Sequence, residues 1–133
     1  MRHQFVAIDV ETANADLASI CQIGVVTFME GEVVGAWKTL IDPEDEFAGV
    51  NVSIHGIDEQ MVVGAPRFPD IVDSMHTLLA GHVVVSHMPF DRVALGRVHE
   101  RYRLPALQCT WLDYGSCDAP RMAAVLPAGL WPC

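Results

Sequence analysis

Two carboxylates stand two residues apart near the start of the chain, directly after a short apolar run. Asp9 and Glu11 follow the apolar residues 5–8. Because the side chains of an extended strand alternate between its two faces, Asp9 and Glu11 should project from the same face. Carboxylates held that close oppose each other's ionisation, and a divalent cation removes the conflict. Their oxygen ligands favour Mg²⁺ or Mn²⁺, although a solvated strand end would show the same pattern.

A third carboxylate, Asp91, lies in the first turn of a helix that we predict to begin at Pro89. The unpaired amides and the dipole of a helix start favour a carboxylate, so ordinary capping also accounts for this position. The apolar segment 82–86 before it is predicted to be a buried strand, which brings the helix start to an end of the sheet. If that strand lies beside the first, Asp91 should face Asp9 and Glu11 across a cleft.

The elements that must position these carboxylates are predicted from hydrophobic periodicity and turn residues. We predict strands over residues 4–10, 19–29, 32–40 and 82–86, a last short strand within 107–111, and helices over 69–79 and 89–102. A further helix should start at residues 57–60 with Asp58 as its cap. The last helix should bury one stripe of side chains, namely Phe90, Ala94, Val98 and Tyr102. This order predicts an α/β fold in which helices pack on a mixed sheet.

The composition limits the class of protein. The 133 residues, 51% of them hydrophobic, are enough for one domain with one core. No apolar run approaches the roughly 18 residues of a membrane span, so a membrane is not expected as a partner. The four cysteines form neither a C-x-x-C pair nor a zinc spacing, which favours a reducing, cytoplasmic setting. The net charge of −9 argues against a basic nucleic-acid-binding surface, but not against an enzyme that meets phosphate through metal ions.

Four segments of the chain recur together in one known family. They are Ile8–Ala13, Ile20–Gly24, Ile54–Ile57 and His87–Arg92. In order and spacing they resemble the exonuclease domain of the DEDD superfamily, the family of the proofreading (epsilon) subunit of bacterial DNA polymerase III. The resemblance runs from about residue 4 to residue 113. It implies an RNase H-like mixed sheet, with an antiparallel three-strand meander plus parallel strands, flanked by helices.

The same resemblance implies a 3′–5′ exonuclease that hydrolyses phosphodiester bonds at the 3′ end of single-stranded nucleic acid. It implies Asp9, Glu11 and Asp91 as the catalytic residues and as the ligands of a two-metal site for Mg²⁺ or Mn²⁺. Many members have H-N-x-x-F-D where this chain has the shorter His87-Met88-Pro89-Phe90-Asp91, a departure that keeps the aspartate. The implied partner is a nucleic acid 3′ end, either DNA or RNA, and a DNA polymerase is a candidate protein partner.

Four further residues are candidates for substrate contact. The resemblance implies that Thr12 and Ala13 lie against the terminal nucleotide and that His55 reaches the substrate strand. His55 could equally cap the turn before Gly56. Phe90 offers an aromatic ring for stacking on a frayed end, although its place in the predicted apolar stripe favours the core.

The C-terminal part of the chain departs from this family. Its active members carry a histidine, followed shortly by an aspartate, on a C-terminal helix, whereas the last histidine here is His99. Residues 114–133 have no helical periodicity and are rich in Ala, Pro and Gly. We therefore divide the chain into an exonuclease domain over residues 1–113 and an atypical tail over residues 114–133. The predicted fold is accordingly C-terminally truncated.

This departure leads to two pairs of hypotheses. A frameshift near Asp113 would explain the tail, and a genuine divergent tail is the alternative. For function, the leading expectation is a metal-dependent exonuclease with weak or absent turnover. The alternative is a catalytically dead module that binds nucleic acid or acts as a scaffold.

Overall fold

Five strands and three helices follow one another in the part of the chain that the computed structural model describes, residues 4–86 and 89–113. The strands are β1 (Gln4–Thr12), β2 (Ile20–Met29), β3 (Glu32–Leu40), β4 (Val83–Ser86) and β5 (Thr110–Asp113). The helices are α1 (Gly49–His55), α2 (Phe68–Leu79) and α3 (Pro89–Arg101). None of these helices is both long and apolar enough to cross a membrane. The tail defined from the sequence, residues 114–133, lies outside the described residues.

The strands form one sheet in the order β3-β2-β1-β4-β5. β1 pairs antiparallel with β2, and β2 with β3, as expected for strands joined by short links. β4 lies parallel to β1 on its other side, and β5 lies parallel to β4. The predicted α/β fold, with an antiparallel meander and parallel strands in one mixed sheet, is therefore confirmed. β1 lies at the centre of the sheet, which places its C-terminal end between β2 and the start of α3.

The helices α2 and α3 cover one face of this sheet. Val6, Ile8 and Val10 alternate along β1 and point to this face, where they are buried. They pack with side chains from both helices, namely Phe68, Ile71, Val72, Met75, Leu79, Ala94, Leu95 and Val98. Burial of one such side chain contributes about 1.5–3 kcal/mol to stability. Asp9 and Glu11 alternate with these apolar residues and therefore lie on the opposite face.

The prediction of a helix that starts at residues 57–60, with Asp58 as its cap, is wrong, because residues 59–64 form turns. Asp58 does cap the first of these turns, since its Oδ1 atom accepts a hydrogen bond from the N–H of Met61 at 3.0 Å. The backbone hydrogen bonds that follow run three residues back, however, and Gly64 has a φ of +81° that a helix does not allow. The helix of this region is α1, which ends where Gly56 adopts a φ of 75°.

The buried stripe of α3 also differs from the predicted one. Ala94 and Val98 are buried as expected, but Phe90 is 39% exposed, so its predicted place in the core is wrong. Asp91 and Leu95 are buried instead. The predicted stripe did not include Asp91, which α3 turns towards the sheet and the backbone of β1.

Candidate active site

Asp91 reaches from the first turn of α3 to the backbone of β1. Its Oδ1 atom accepts a hydrogen bond from the N–H of Val10 at 2.9 Å, and the residue is only 2% exposed. The pairing of β1 with β4 ends at Ile8, so the amide of Val10 lies beyond the end of that ladder. The carboxylate supplies the acceptor that a longer β4 would have offered. Asp91 thus contacts the residue that separates Asp9 from Glu11.

Asp9 lies in surroundings that oppose its ionisation. Burial, followed by the negative charges of Asp91 and Glu11, raises the pKa of its carboxyl to about 8. The positive charge of Lys38 acts in the opposite direction and lowers this pKa. The three predicted carboxylates therefore share one electrostatic neighbourhood, although they come from two separate parts of the chain. Without a compensating cation, Asp9 holds a proton for much of the time at neutral pH.

Glu11 lies two residues after Asp9 along β1 and therefore on the same face of the sheet. Burial raises the pKa of Glu11, whereas the charges of His55 and Lys38 lower it. Glu11 pairs with Gln22 of β2, directly before the irregularity that ends the regular pairing of these strands. The C-terminal end of β1 therefore presents two carboxylates, with the cationic Lys38 of β3 on one side and Asp91 of α3 on the other.

The chemistry of this donor set fits a divalent cation. Asp9, Glu11 and Asp91 offer carboxylate oxygens, which are the ligands that Mg²⁺ and Mn²⁺ prefer. A cation would also offset the negative charges that raise the pKa of Asp9. Within residues 4–86 and 89–113, no three His, Cys, Asp or Glu side chains already stand in a metal-binding arrangement. The roles of Asp9, Glu11 and Asp91 as metal ligands therefore remain predictions.

His55 occupies both of its ring nitrogens with hydrogen bonds to the backbone. The N–H of Ile57 donates to Nδ1 at 3.0 Å, and Nε2 lies 2.8 Å from the carbonyl oxygen of Thr12. Since Nδ1 accepts, Nε2 carries the proton and donates it to Thr12, which assigns the neutral tautomer. His55 thus caps the turn at Gly56, the second of the two roles weighed for it. Its contact with a substrate strand remains a prediction.

The helix α1 holds the chain directly after β1. The side-chain amide of Asn51 donates to the carbonyl oxygen of Thr12 at 3.1 Å, and the N–H of Ala48 donates to that of Ala13 at 2.8 Å. Sequence reasoning missed this role of Asn51. The available signal was its spacing of four residues from His55, which places both side chains on the same side of a helix.

The remaining candidates for substrate contact differ in accessibility. Thr12 and Ala13 are buried, and Ala13 packs with Cys21 in a small apolar cluster. Phe90 precedes Asp91 in the chain and is 39% exposed, so its ring is accessible to a ligand. The substrate roles of all three residues remain predictions, and that of Phe90 is the one that its exposure favours.

Comparison with known proteins agrees with this architecture. The model of the exonuclease family RNase_T matches residues 6–115. The DNA polymerase III subunit epsilon of Treponema pallidum is 34% identical over 85 residues, which cover 62% of this chain and 40% of that protein. The chain spans less than half the length of such curated relatives, and only 7% of a PolC-type DNA polymerase III from Oceanobacillus iheyensis.

Solved structures share the fold at lower sequence identity. Exonuclease X in complex with a 5′-overhanging DNA duplex superposes with a TM-score of 0.65 at 24% identity, covering 82% of this chain and 58% of that one. The zinc-bound complex of E. coli exonuclease I with single-stranded DNA gives a TM-score of 0.72 at 16% identity, covering 83% and 27%. These likenesses confirm the RNase H-like arrangement of the sheet and helices.

Proposed function

Because this chain belongs to the RNase_T exonuclease family, we propose that it is a metal-dependent 3′–5′ exonuclease that acts on single-stranded nucleic acid. The observation that supports this most directly is the contact of Asp91 with the N–H of Val10, since it brings the third carboxylate to the pair on β1. The epsilon subunit of Treponema pallidum is a relative, and E. coli exonuclease I binds single-stranded DNA in its complex.

Exonucleases of this family generally depend on divalent metal ions. In this proposal Asp9, Glu11 and Asp91 hold Mg²⁺ or Mn²⁺ in a two-metal site. The bound cations supply the charge that stabilises the phosphoryl oxygens during hydrolysis and make a water easier to deprotonate. The hydrogen bond from the N–H of Val10 would hold the carboxylate of Asp91 in a fixed orientation next to Asp9 and Glu11.

Besides holding the cations, the protein must bind the nucleic acid strand and provide a general base that takes a proton from the attacking water. In this proposal the ring of Phe90 stacks on the terminal base, a role that its exposure supports. His55 does not act as the general base unless it gives up a backbone hydrogen bond, because both of its ring nitrogens are occupied. We therefore propose slow turnover, with residues 1–113 as the exonuclease domain and the tail of 114–133 supplying no catalytic histidine.

The engaged state of His55 also favours a second candidate function. A module with the same carboxylates but no general base would bind a 3′ end without cutting it. In either case a nucleic acid 3′ end, of DNA or RNA, is the partner. A DNA polymerase is the proposed protein partner, because the Treponema pallidum relative is a polymerase subunit.

A single-stranded oligonucleotide with a 5′ label tests this proposal. Incubated with excess protein and Mg²⁺ or Mn²⁺, it should shorten stepwise from its 3′ end, and EDTA should stop the reaction. Asp9→Asn should abolish shortening, whereas Arg97→Gln, at an exposed position of α3, should leave it unchanged. Binding without shortening would favour the dead module. Shortening by Asp9→Asn at the unmodified rate would contradict the assigned site.

A further inference from the structure

Lys38 is the only lysine among the 133 residues of a chain with a net charge of −9. It lies on β3, the edge strand of the sheet, and its side chain is exposed. In the part of the chain that the structure describes, its ammonium group forms neither an ion pair nor a hydrogen bond. The ammonium group of Lys38 is therefore available to bind an anionic ligand.

The register of three strands places Lys38 on the same face of the sheet as Asp9. Asp9 pairs with Gly24 between β1 and β2, and Gly24 pairs with Lys38 between β2 and β3. Residues directly opposite each other share a face, so the three positions form one row across the sheet. Asp9 and Lys38 stand roughly 10 Å apart along this row, twice the spacing of adjacent strands.

The middle of this row is open. Gly24 has no side chain, and a Cβ atom added there would meet no heavy atom within 4 Å. Glycine inside a strand commonly marks a place where a ligand or another backbone approaches closely. Asp9 and Lys38 therefore border an open position of the sheet from its two sides.

We propose that Lys38 binds a backbone phosphate of the substrate strand, and that the open strip over Gly24 is the path by which this strand reaches the carboxylates of β1. This inference rests on the proposed exonuclease function and adds a substrate-binding residue to it. An ammonium group binds phosphate as a compact point charge, which suits a contact that must accept any sequence. In an acidic chain, such a contact would offset the repulsion between the site face and the phosphates.

Two other roles for Lys38 lead to different results. A lysine on an edge strand protects the edge from pairing with another chain, and this needs no particular face. Alternatively, Lys38 could serve as a counter-charge for Asp9 and Glu11 alone. In that case its removal would tighten metal binding and leave the affinity for the strand unchanged.

The single lysine allows a selective probe. Reductive methylation with ¹³C-formaldehyde gives one side-chain resonance from Lys38, distinct from that of the terminal amine. Titration with a single-stranded oligonucleotide in the presence of Ca²⁺, which replaces Mg²⁺ to hold back cleavage, should shift this resonance in a saturable manner. A resonance that stays in place while the oligonucleotide binds would overturn the inference and leave the proposed function standing.

Variants give an independent readout. Lys38→Gln should weaken binding of the strand roughly three- to tenfold at low salt and reduce the slope of log K against log salt by about 0.7, the value for one phosphate of a single strand. It should raise KM with little change in kcat, and Lys38→Arg should restore most of the loss. Arg97→Gln, which removes the same charge from the exposed side of α3, is the matched control.

The outcomes distinguish the role of Lys38 from the proposed exonuclease function. Equal binding and equal KM for Lys38→Gln and Arg97→Gln would overturn the role of Lys38. A lower concentration of Mg²⁺ for half-maximal activity, with an unchanged KM for the strand, would overturn it as well and assign the counter-charge role. If the unmodified chain neither binds nor shortens any strand, the proposed function fails, and this inference fails with it.

Discussion

His76 of α2 and His99 of α3 face each other with their Nε2 atoms 2.8 Å apart. The Nδ1 atom of His99 lies 2.6 Å from the carbonyl oxygen of Leu95, so Nδ1 carries a proton and donates it. The Nε2 atom of neutral His99 therefore accepts a hydrogen bond from His76. This bond joins the two helices that cover one face of the sheet, and in this direction it requires a neutral His99.

Acidification should weaken this helix contact. Burial lowers the pKa of His99 below its usual value of 6.5, and the charge of His76 lowers it too, against the opposing effect of the Leu95 carbonyl. The stabilisation is thus present above about pH 6.5 and is lost as the pH falls through the lowered pKa. His99→Gln keeps an acceptor but does not titrate, so urea unfolding should show less loss of stability between pH 7 and pH 5.

His82→Gln provides the control for that experiment, because it removes one histidine outside the contact between α2 and α3, and His99→Gln should change the pH dependence of unfolding more than it does. The comparison between variants is needed because Asp9 shifts stability in the opposite direction over the same range. Equal slopes for the unmodified protein and His99→Gln would contradict the prediction.

Asp91 should have separable structural and chemical roles. Asp91→Asn keeps a carbonyl oxygen for the N–H of Val10 and removes the charge, so it should be more stable than Asp91→Ala while metal-dependent shortening is lost. Asp91→Ala leaves the buried amide without its acceptor, which should cost about 1–3 kcal/mol in urea unfolding. Metal-dependent activity in Asp91→Asn, or an Ala variant as stable as the Asn variant, would refute this assignment.

The folded protein should lose stability in alkaline solution when metal is absent. The pKa of Asp9 is about 8 in the folded chain against 3.8 as the ordinary value. A raised carboxyl pKa means that its contribution to stability is complete below about pH 4 and is lost as the pH rises through about 8. In EDTA, the melting temperature should therefore fall between pH 6 and pH 9 in the unmodified protein, and fall less in Asp9→Asn.

Addition of Mn²⁺ at pH 8 should reverse this loss. A cation that binds only the folded carboxylates raises the melting temperature in proportion to RT ln(1 + [L]/Kd). Asp9→Asn should show a smaller rise, and Arg97→Gln should respond like the unmodified protein. An equal rise in all three proteins would indicate that Mn²⁺ binds elsewhere.

The parts of this fold that were predictable from the sequence are those set by local periodicity. The turn residues at positions 30–31 identified the start of β3, which was predicted over Glu32–Leu40 with its observed bounds, and the apolar run before Ser86 identified β4. The approach of Asp91 to β1 followed from these elements, because a helix that starts at the end of a neighbouring strand brings its first turn to the sheet edge. The site could be predicted to that extent.

The parts that escaped prediction depend on contacts distant in sequence. α1 has no buried residue, so no stripe of buried apolar side chains marks it in the sequence. Two of its seven residues are valines, whose β-branched side chains slightly disfavour a helix. Its position follows instead from the hydrogen bonds of Asn51 and His55 to Thr12. The relation of Lys38 to Asp9 likewise exists only after three strands have been paired in register, which no local pattern specifies.

The open strip over Gly24 can be closed without harming the fold. Gly24→Val places a β-branched side chain, which strands favour, where a Cβ meets no atom within 4 Å. The melting temperature should stay the same or rise, whereas the affinity for a single-stranded oligonucleotide should fall, since the valine stands between Asp9 and Lys38. Gly35→Val is the matched control, because Gly35 pairs with Thr27 in the row that continues to Val6 on the helix-covered face. A folded Gly24→Val that binds the strand as tightly as Gly35→Val would show that the strand takes another path.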